Sequence, residues 1–317
     1  GVQIFFVLSG FVIAYSMRNV TMSWNYIQQF FIKRSIRLDP PYWVSLLCML
    51  MASFLFSLLI NPQQEWPFTP KQVLTNTFYL QDFFGFESIN PVAWTLCIEL
   101  QLYLFFALIL QVLFWKQRAQ SNEDQKRMMQ SYLFAIFFTL LLIGSLSYHH
   151  VVTSLQLKEW IPQGIFFPYW YSFFLGAATC WNLLNRLSNS WLWIYFALVG
   201  ACLILNFDEK MLTCLAVTLI IYILGKRNLL EANCTSFFQY LGRISFSLYL
   251  IHWLAGSNVI HFLYKRMGEL TMTKFSFIYL FSLVISTLTA HLFYHWIEAP
   301  CLKWSKAFGK ERQFKFE

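Results

Sequence analysis

The chain has 317 residues, of which 58% are hydrophobic, 20% aromatic and only 12% charged. Soluble globular chains carry about a quarter charged residues, so the composition excludes a soluble enzyme and points to an all-α polytopic membrane protein whose first partner is the lipid bilayer. In such a chain the net charge of +8 makes no case for nucleic acid and has to be read loop by loop.

The N-terminus, Gly1-Val2-Gln3, has no methionine and no basic region and runs straight into an apolar segment. That reads neither as a signal peptide nor as a natural start, and one helix is expected upstream of it. Apolar stretches long enough to approach ~30 Å of hydrocarbon are predicted at 2–17, 42–60, 92–115, 131–147, 166–184, 191–206, 211–225, 240–260 and 275–297, about nine helices in a single transmembrane domain over 1–317. No soluble domain, repeat or low-complexity segment interrupts them. The longest connection, Asn61 to Pro91, holds Thr69-Pro70, which reads as an N-cap and first helical residue. Its aromatics Phe78, Tyr79, Phe83, Phe84 and Phe86 suggest a segment lying in the interface. Seven cysteines (48, 97, 180, 202, 214, 234 and 301) are scattered without C-x-x-C or metal spacing, so neither a disulfide nor a metal site is expected.

Lys and Arg sort unevenly between alternate sides of these spans. Seventeen fall on one side, from Arg18, Lys33, Arg34 and Arg37 to Lys303, Lys306, Lys310, Arg312 and Lys315; six fall on the other, at Lys71, Lys158, Lys210, Lys265, Arg266 and Lys274. The positive-inside rule then puts Gly1 outside, Lys33–Arg37 inside, Asn61–Pro91 outside and Glu317 in the cytoplasm.

Five stretches carry the chemistry. Gly1–Phe11 (GVQIFFVLSGF) places Ser9-Gly10 inside a span, where small residues let backbones approach closely. Lys33–Trp43 (KRSIRLDPPYW) sets three cations in five residues before two prolines. In a helix Lys33 and Arg37 stack one turn apart with Arg34 beside them, a face that suits either a polyphosphate ligand or a topology signal touching anionic headgroups. Ala93–Tyr103 (AWTLCIELQLY) puts Glu99 inside a span on a stripe with Thr95 and Tyr103, as a functional carboxylate or as a hydrogen-bond anchor between helices. Leu241–His252 (LGRISFSLYLIH) carries a polar stripe of Ser245, Tyr249 and His252, the histidine being either an acid–base group or one satisfied by interhelical bonding. The last span spaces His291, His295 and Glu298 at i, i+4, i+7. A metal pair there lacks further ligands; Glu298 is expected to meet an arginine of the Lys33–Arg37 cluster, and Pro300 to stop the helix.

In this order, and with YHWIEAP at 294–300, the stretches resemble the acyltransferase 3 family of integral-membrane O-acyltransferases. Residues 105–235 match that family only in hydropathy. The resemblance implies about ten helices in a complete protein, residence in a bacterial inner membrane, and transfer of an acyl group, usually acetyl, from cytoplasmic acyl-CoA. The acceptor is a hydroxyl on a glycan, a lipid-linked saccharide or a small molecule. It implies acyl-CoA (acetyl-CoA) as co-substrate with no resident cofactor, and Lys33, Arg34 and Arg37 on the CoA phosphates. Glu298 and Glu99 match the family's glutamates as supporting catalytic groups, while Tyr103, Ser245, Tyr249 and His252 remain acceptor-side or structural positions. The family's catalytic histidine would lie upstream of Gly1, so these 317 residues are expected to be inactive alone. Asp39 stands where the family more often has an apolar residue. Two other readings fit the residues: a transporter of a saccharide or acyl group that performs no chemistry, and an inactive relative that keeps donor binding.

Overall fold

The computed structural model describes residues 1–59, 67–116, 121–156, 164–230, 235–267 and 271–313. Arg118, Lys158, Cys234 and Lys315 lie outside the described residues, as does 60–66 of the long connection. Among the described residues the chain is all-helical. Its α-helices are α1 (Val2–Ser16), α2 (Trp24–Leu59), α3 (Pro70–Thr77), α4 (Trp94–Lys116), α5 (Asn122–Met129), α6 (Tyr132–Ser154), α7 (Trp170–Leu183), α8 (Asn189–Leu205), α9 (Glu209–Lys226), α10 (Ser236–His252), α11 (Asn258–Met267), α12 (Met272–Phe293) and α13 (Ala299–Gln313). Polar N-caps start many of them: Thr69, Ser121, Ser131, Ser188, Asp208 and Thr271 each accept a backbone N–H of the first turn.

Every predicted span falls on a helix, but the count of nine is not reproduced. Four stretches are long and apolar enough to cross a membrane: Trp24–Leu55, Trp94–Trp115, Ser236–Tyr264 and Met272–Phe308. The bent pair α5–α6 would make five. The shortfall lies in length at α1, α7 and α8, which have 15, 14 and 17 residues, about 21–26 Å at 1.5 Å per residue, and in charge at α9, whose 18 residues include Glu209, Lys210 and Lys226. The expectation that Pro300 stops the helix also fails, and two further prolines lie inside a helix. Pro40 and Pro41 sit inside the 36-residue α2; where neighbouring helices can re-satisfy freed carbonyls, proline need not end a membrane helix. Pro300 lies in the first turn of α13, a position that tolerates a missing N–H.

The described residues divide into two compact units, one of Gly1–Ile27 with Cys97–Asn233 and the other of Gln28–Leu96 with Cys234–Glu317. In the first, α1 and α7 cross without side chains between them: a Cβ at Gly10 would fall on the Phe173 carbonyl oxygen, and one at Gly176 on the Val7 carbonyl oxygen. Around α7, which is buried along nearly its whole length, packs an aromatic core of Phe106, Phe138, Trp170, Phe173, Phe174 and Trp181. Phe138 stacks on Phe174 at 5.1 Å and 5°. A buried bond from Ser172 Oγ to Gln3 Oε1 (2.5 Å) fixes the register of α7 on α1.

The second unit holds the Lys33–Arg37 cluster. Here the connection expected to lie in the interface folds back along α2. Phe68 and Val73 pack near Met49 and Leu50, Tyr42 Oη donates to the Asn76 carbonyl (2.7 Å) and Trp43 Nε1 to that of Thr77 (3.0 Å). Tyr79 stacks on Tyr42 at 4.5 Å and donates to Asp39 Oδ1 (3.2 Å). The segment therefore runs back about 16 Å along α2, from the level of residue 50 to that of residue 39. Asn90 returns it, donating to Ser45 Oγ (3.3 Å) and to the Leu250 carbonyl (3.1 Å). Phe78, Phe83 and Phe84 do remain exposed, as an interfacial segment requires.

Candidate active site

In the second unit α2 is helical through the cation cluster, so Lys33, Arg34 and Arg37 share a face as their spacing predicts. All three are half-buried. The Lys33 carbonyl accepts from Ser305 Oγ of α13 (2.8 Å), and the Arg34 guanidinium lies 5.5 Å from the Phe30 ring centre. Asp39, two residues past Arg37, accepts from Ser35 one turn back and from Tyr79 of the fold-back segment. The residue that departs from the family pattern thus ties that segment to the cluster.

Opposite stands Glu298, 1% exposed. It is the last residue of a π-helical turn, Tyr294–Glu298, between α12 and α13, where the Ala299 N–H bonds the Tyr294 carbonyl. A π-turn carries an extra residue and re-aims whatever follows it. The turn separates Glu298 from the His291–His295 face that the plain i, i+4, i+7 count had joined it to. His291 instead pairs with Tyr240 Oη (2.5 Å), and its ring meets that of His295 at 4.5 Å. No group of three potential metal ligands occurs among the described residues. Glu298 Oε2 accepts from Ser247 Oγ of α10 (2.6 Å) and lies within electrostatic reach of Arg37. A buried carboxylate needs such partners.

The predicted α10 stripe does not converge on this carboxylate. Ser245 is exposed and turns back to the Gly242 carbonyl (2.8 Å). Tyr249 bonds Thr95 Oγ1 and the Val92 carbonyl at the start of α4. His252 Nδ1 faces the carbonyls of Leu248 and Tyr249 on its own helix, at 3.1 and 2.9 Å, rather than a partner helix. The residue that does converge is Ser247, which lies on the buried face of α10 with Ile244 and Leu250. A serine at i+3 and i−3 from apolar residues is the signal that would have found it.

Glu99 and Tyr103 belong to the first unit. Ser9 Oγ donates to Glu99 Oε1 (2.9 Å), so Ser9 supplies a hydrogen bond and Gly10 supplies the close packing predicted for the pair. Tyr103 is buried with its ring 6.2 Å from that of Phe173. Within the first unit this bond joins α1 to α4 at Glu99.

A family model described as an acyltransferase domain matches residues 1–291. The chain belongs to the acyltransferase 3 family. The match takes in the arginines of α2, Glu99 and Ser247, and ends before Glu298. No curated protein and no solved structure matches the chain. For an acyltransferase of this family, the second unit offers a cationic face on α2, with a buried carboxylate held by Ser247 within electrostatic reach of Arg37 and a fold-back segment fixed to the same stretch of helix. Cations of this kind can hold phosphates, and a hydrogen-bonded carboxylate can orient a guanidinium or hold a proton.

Proposed function

We propose that this acyltransferase takes an acyl group, acetyl in the simplest case, from cytoplasmic acyl-CoA and passes it to a hydroxyl of a glycan, a lipid-linked saccharide or a small molecule. The observation that carries the reading is the buried Glu298, held by Ser247 Oγ and within electrostatic reach of Arg37 in the cationic stretch of α2. Lys33, Arg34 and Arg37 bind the pyrophosphate and the further phosphate of CoA, because guanidinium forks match phosphate oxygens bidentately. Glu298 is a positioning residue that fixes the Arg37 fork. In the transfer itself the acceptor oxygen attacks the thioester carbonyl as a general base removes its proton. The tetrahedral oxyanion then collapses, and CoA leaves as the thiol.

Arg37→Ala should weaken acyl-CoA binding by roughly 10- to 150-fold, the loss of one charge-assisted fork of about 1.5–3 kcal/mol. Arg127→Ala, at an exposed cation of α5, should leave it unchanged. Binding is read by calorimetry on the purified chain. Equal effects of the two substitutions would reduce the α2 cluster to a topology signal. Release of free thiol on addition of an acceptor, measured with the helix expected upstream of Gly1 supplied, separates transfer from transport without chemistry.

A further inference from the structure

The first unit contains a cavity that the proposed reaction does not use. It is a half-open pocket of about 250 Å³ between the C-terminal ends of α1, α7 and α9, lined by Phe11, Tyr15, Cys180, Leu183, Gly225 and Asn228 among others. That volume is on the order of eight water- or methylene-sized groups. All three helices end at the cavity, so their carbonyl ends face it, and a bare anion would find no welcome there. Two arginines change the balance. The Arg18 guanidinium lies 3.7 Å from the ring centre of Tyr15, a lining residue that is itself 40% exposed, and donates to the Tyr15 carbonyl (2.9 Å). Arg186 follows Asn185, whose positive φ of 55° turns the chain sharply after α7, and its backbone N–H returns to the Trp181 carbonyl (2.8 Å).

The two guanidiniums lie within electrostatic reach of each other and of Cys180 in the cavity wall, and the Glu123 carboxylate of α5 also acts on Arg186. Helix-dipole compensation accounts for Lys226 in the last turn of α9. It does not account for two like charges held together, one of them half-buried. Burial, and to a smaller extent the neighbouring Arg18, push the Arg186 pKa below its ordinary value against the opposite pull of Cys180 and Glu123, so the pair of cations is only partly compensated within the chain.

We propose that this cavity is a binding site for an anionic phospholipid: the phosphate bridges Arg18 and Arg186, and the adjoining apolar end of one chain occupies the Phe11–Cys180–Leu183 wall. The exposed Tyr15 under the Arg18 guanidinium is the aromatic–cation pairing found at headgroup level. Guanidinium forks are the groups that bridge a phosphate, and an apolar wall beside them excludes inorganic phosphate as the natural occupant.

The test is retention of lipid by the purified, delipidated chain, read by native mass spectrometry with phosphatidylglycerol and with phosphatidylcholine. Phosphatidylglycerol should be retained in preference. Arg18→Gln with Arg186→Gln should reduce its retention by about tenfold or more, at roughly fivefold per cation lost. Gly225→Ala should also reduce it, because its Cβ would displace the flexible Leu183 side chain that lines the cavity. Lys126→Gln with Arg127→Gln, on α5, serves as the charge control, and an unchanged melting temperature shows that each variant is folded. Equal loss in the α5 control, equal retention of the two lipids, or retention untouched by Gly225→Ala would each overturn the site.

Discussion

The two units of this acyltransferase both bury hydrogen-bonded polar residues, Ser172 with Gln3 and Ser9 with Glu99 in the first, but they differ in how their helices meet. The first is held by shape: glycines let α1 and α7 meet backbone to backbone, and aromatic rings fill what remains. The second is held largely by directed polar contacts, with Asn76, Asn90, Ser247 and Glu298 buried and hydrogen-bonded between segments distant in sequence. Between helices in lipid, close packing is the main attraction and each polar contact adds only a modest increment. A packed unit makes a stable frame. A unit of directed bonds fixes the geometry of a few side chains, and that is where the candidate active site lies.

The largest break of this comparison comes from the glycine crossing. Gly10→Val or Gly176→Val forces a side chain onto a neighbouring backbone carbonyl that cannot move aside. The cost exceeds about 3 kcal/mol, the upper range of ordinary overpacking. Neither variant should yield monodisperse protein after detergent extraction. Gly242→Ala in α10 is the counterpart, since nothing lies within 4 Å of its Cβ. It should stabilise by about 0.5–1 kcal/mol through the lower conformational freedom of alanine. Normal folding of Gly10→Val would show that the helices are not held by close approach.

The second break is smaller and falls on the other unit. Asn90→Ala removes donors to Ser45 and to the Leu250 carbonyl and leaves buried polar atoms without partners. It should cost about 1–3 kcal/mol, seen as a lower melting temperature. Because Asn90 returns the fold-back segment to the core, the change should also expose residues 67–90 to proteolysis. No change in proteolysis would mean that the segment is held chiefly by its apolar contacts with Met49 and Leu50.

How much of this was legible in the sequence follows from the kind of force involved. Hydropathy placed a helix at every predicted span, because a one-dimensional apolar signal needs no knowledge of neighbours. It counted crossings at α1 and α7, whose helices of 15 and 14 residues are apolar but shorter than a full span. Composition cannot tell a span from a short helix inside a bundle. The motifs also led to the arginines of α2 and to Glu298. The expectation that Glu298 meets an arginine of the α2 cluster is in line with its electrostatic reach to Arg37. The plain i, i+4, i+7 spacing, however, put it on one stripe with His291 and His295 across a π-turn, and the α10 stripe picked out Ser245 where Ser247 is the buried residue. One inserted residue rotates everything beyond it, and nothing in the local sequence announced the insertion. The fold-back of 67–90 was missed for another reason. Its bonds, Tyr42 to Asn76 and Asp39 to Tyr79, join residues that no local pattern relates. Asp39 itself was visible only as a departure from the family pattern.

The smallest effect sharpens the contrast inside the fold-back segment. Asp82 lies outside the candidate spans, and its Oδ2 is buried without a partner among the described residues. Burial pushes its pKa above the ordinary carboxylate value. The sign follows: the folded state binds the Asp82 proton more tightly than the unfolded chain does, so this residue favours folding most below the unfolded pKa near 4. That contribution is lost as pH rises through the folded pKa. At neutral pH the carboxylate is therefore a small burden on stability. Asp82→Asn should raise the melting temperature slightly at pH 7, with the gain shrinking toward pH 4, as measured by thermal unfolding across that range. A gain independent of pH would assign the effect to shape rather than charge. A loss at pH 7 would mean that the ionised carboxylate is favoured in the fold. If the gain appears while thiol release falls, the carboxylate is retained for the reaction against its own effect on stability, which is how a unit built on directed polar contacts differs from one built on packing.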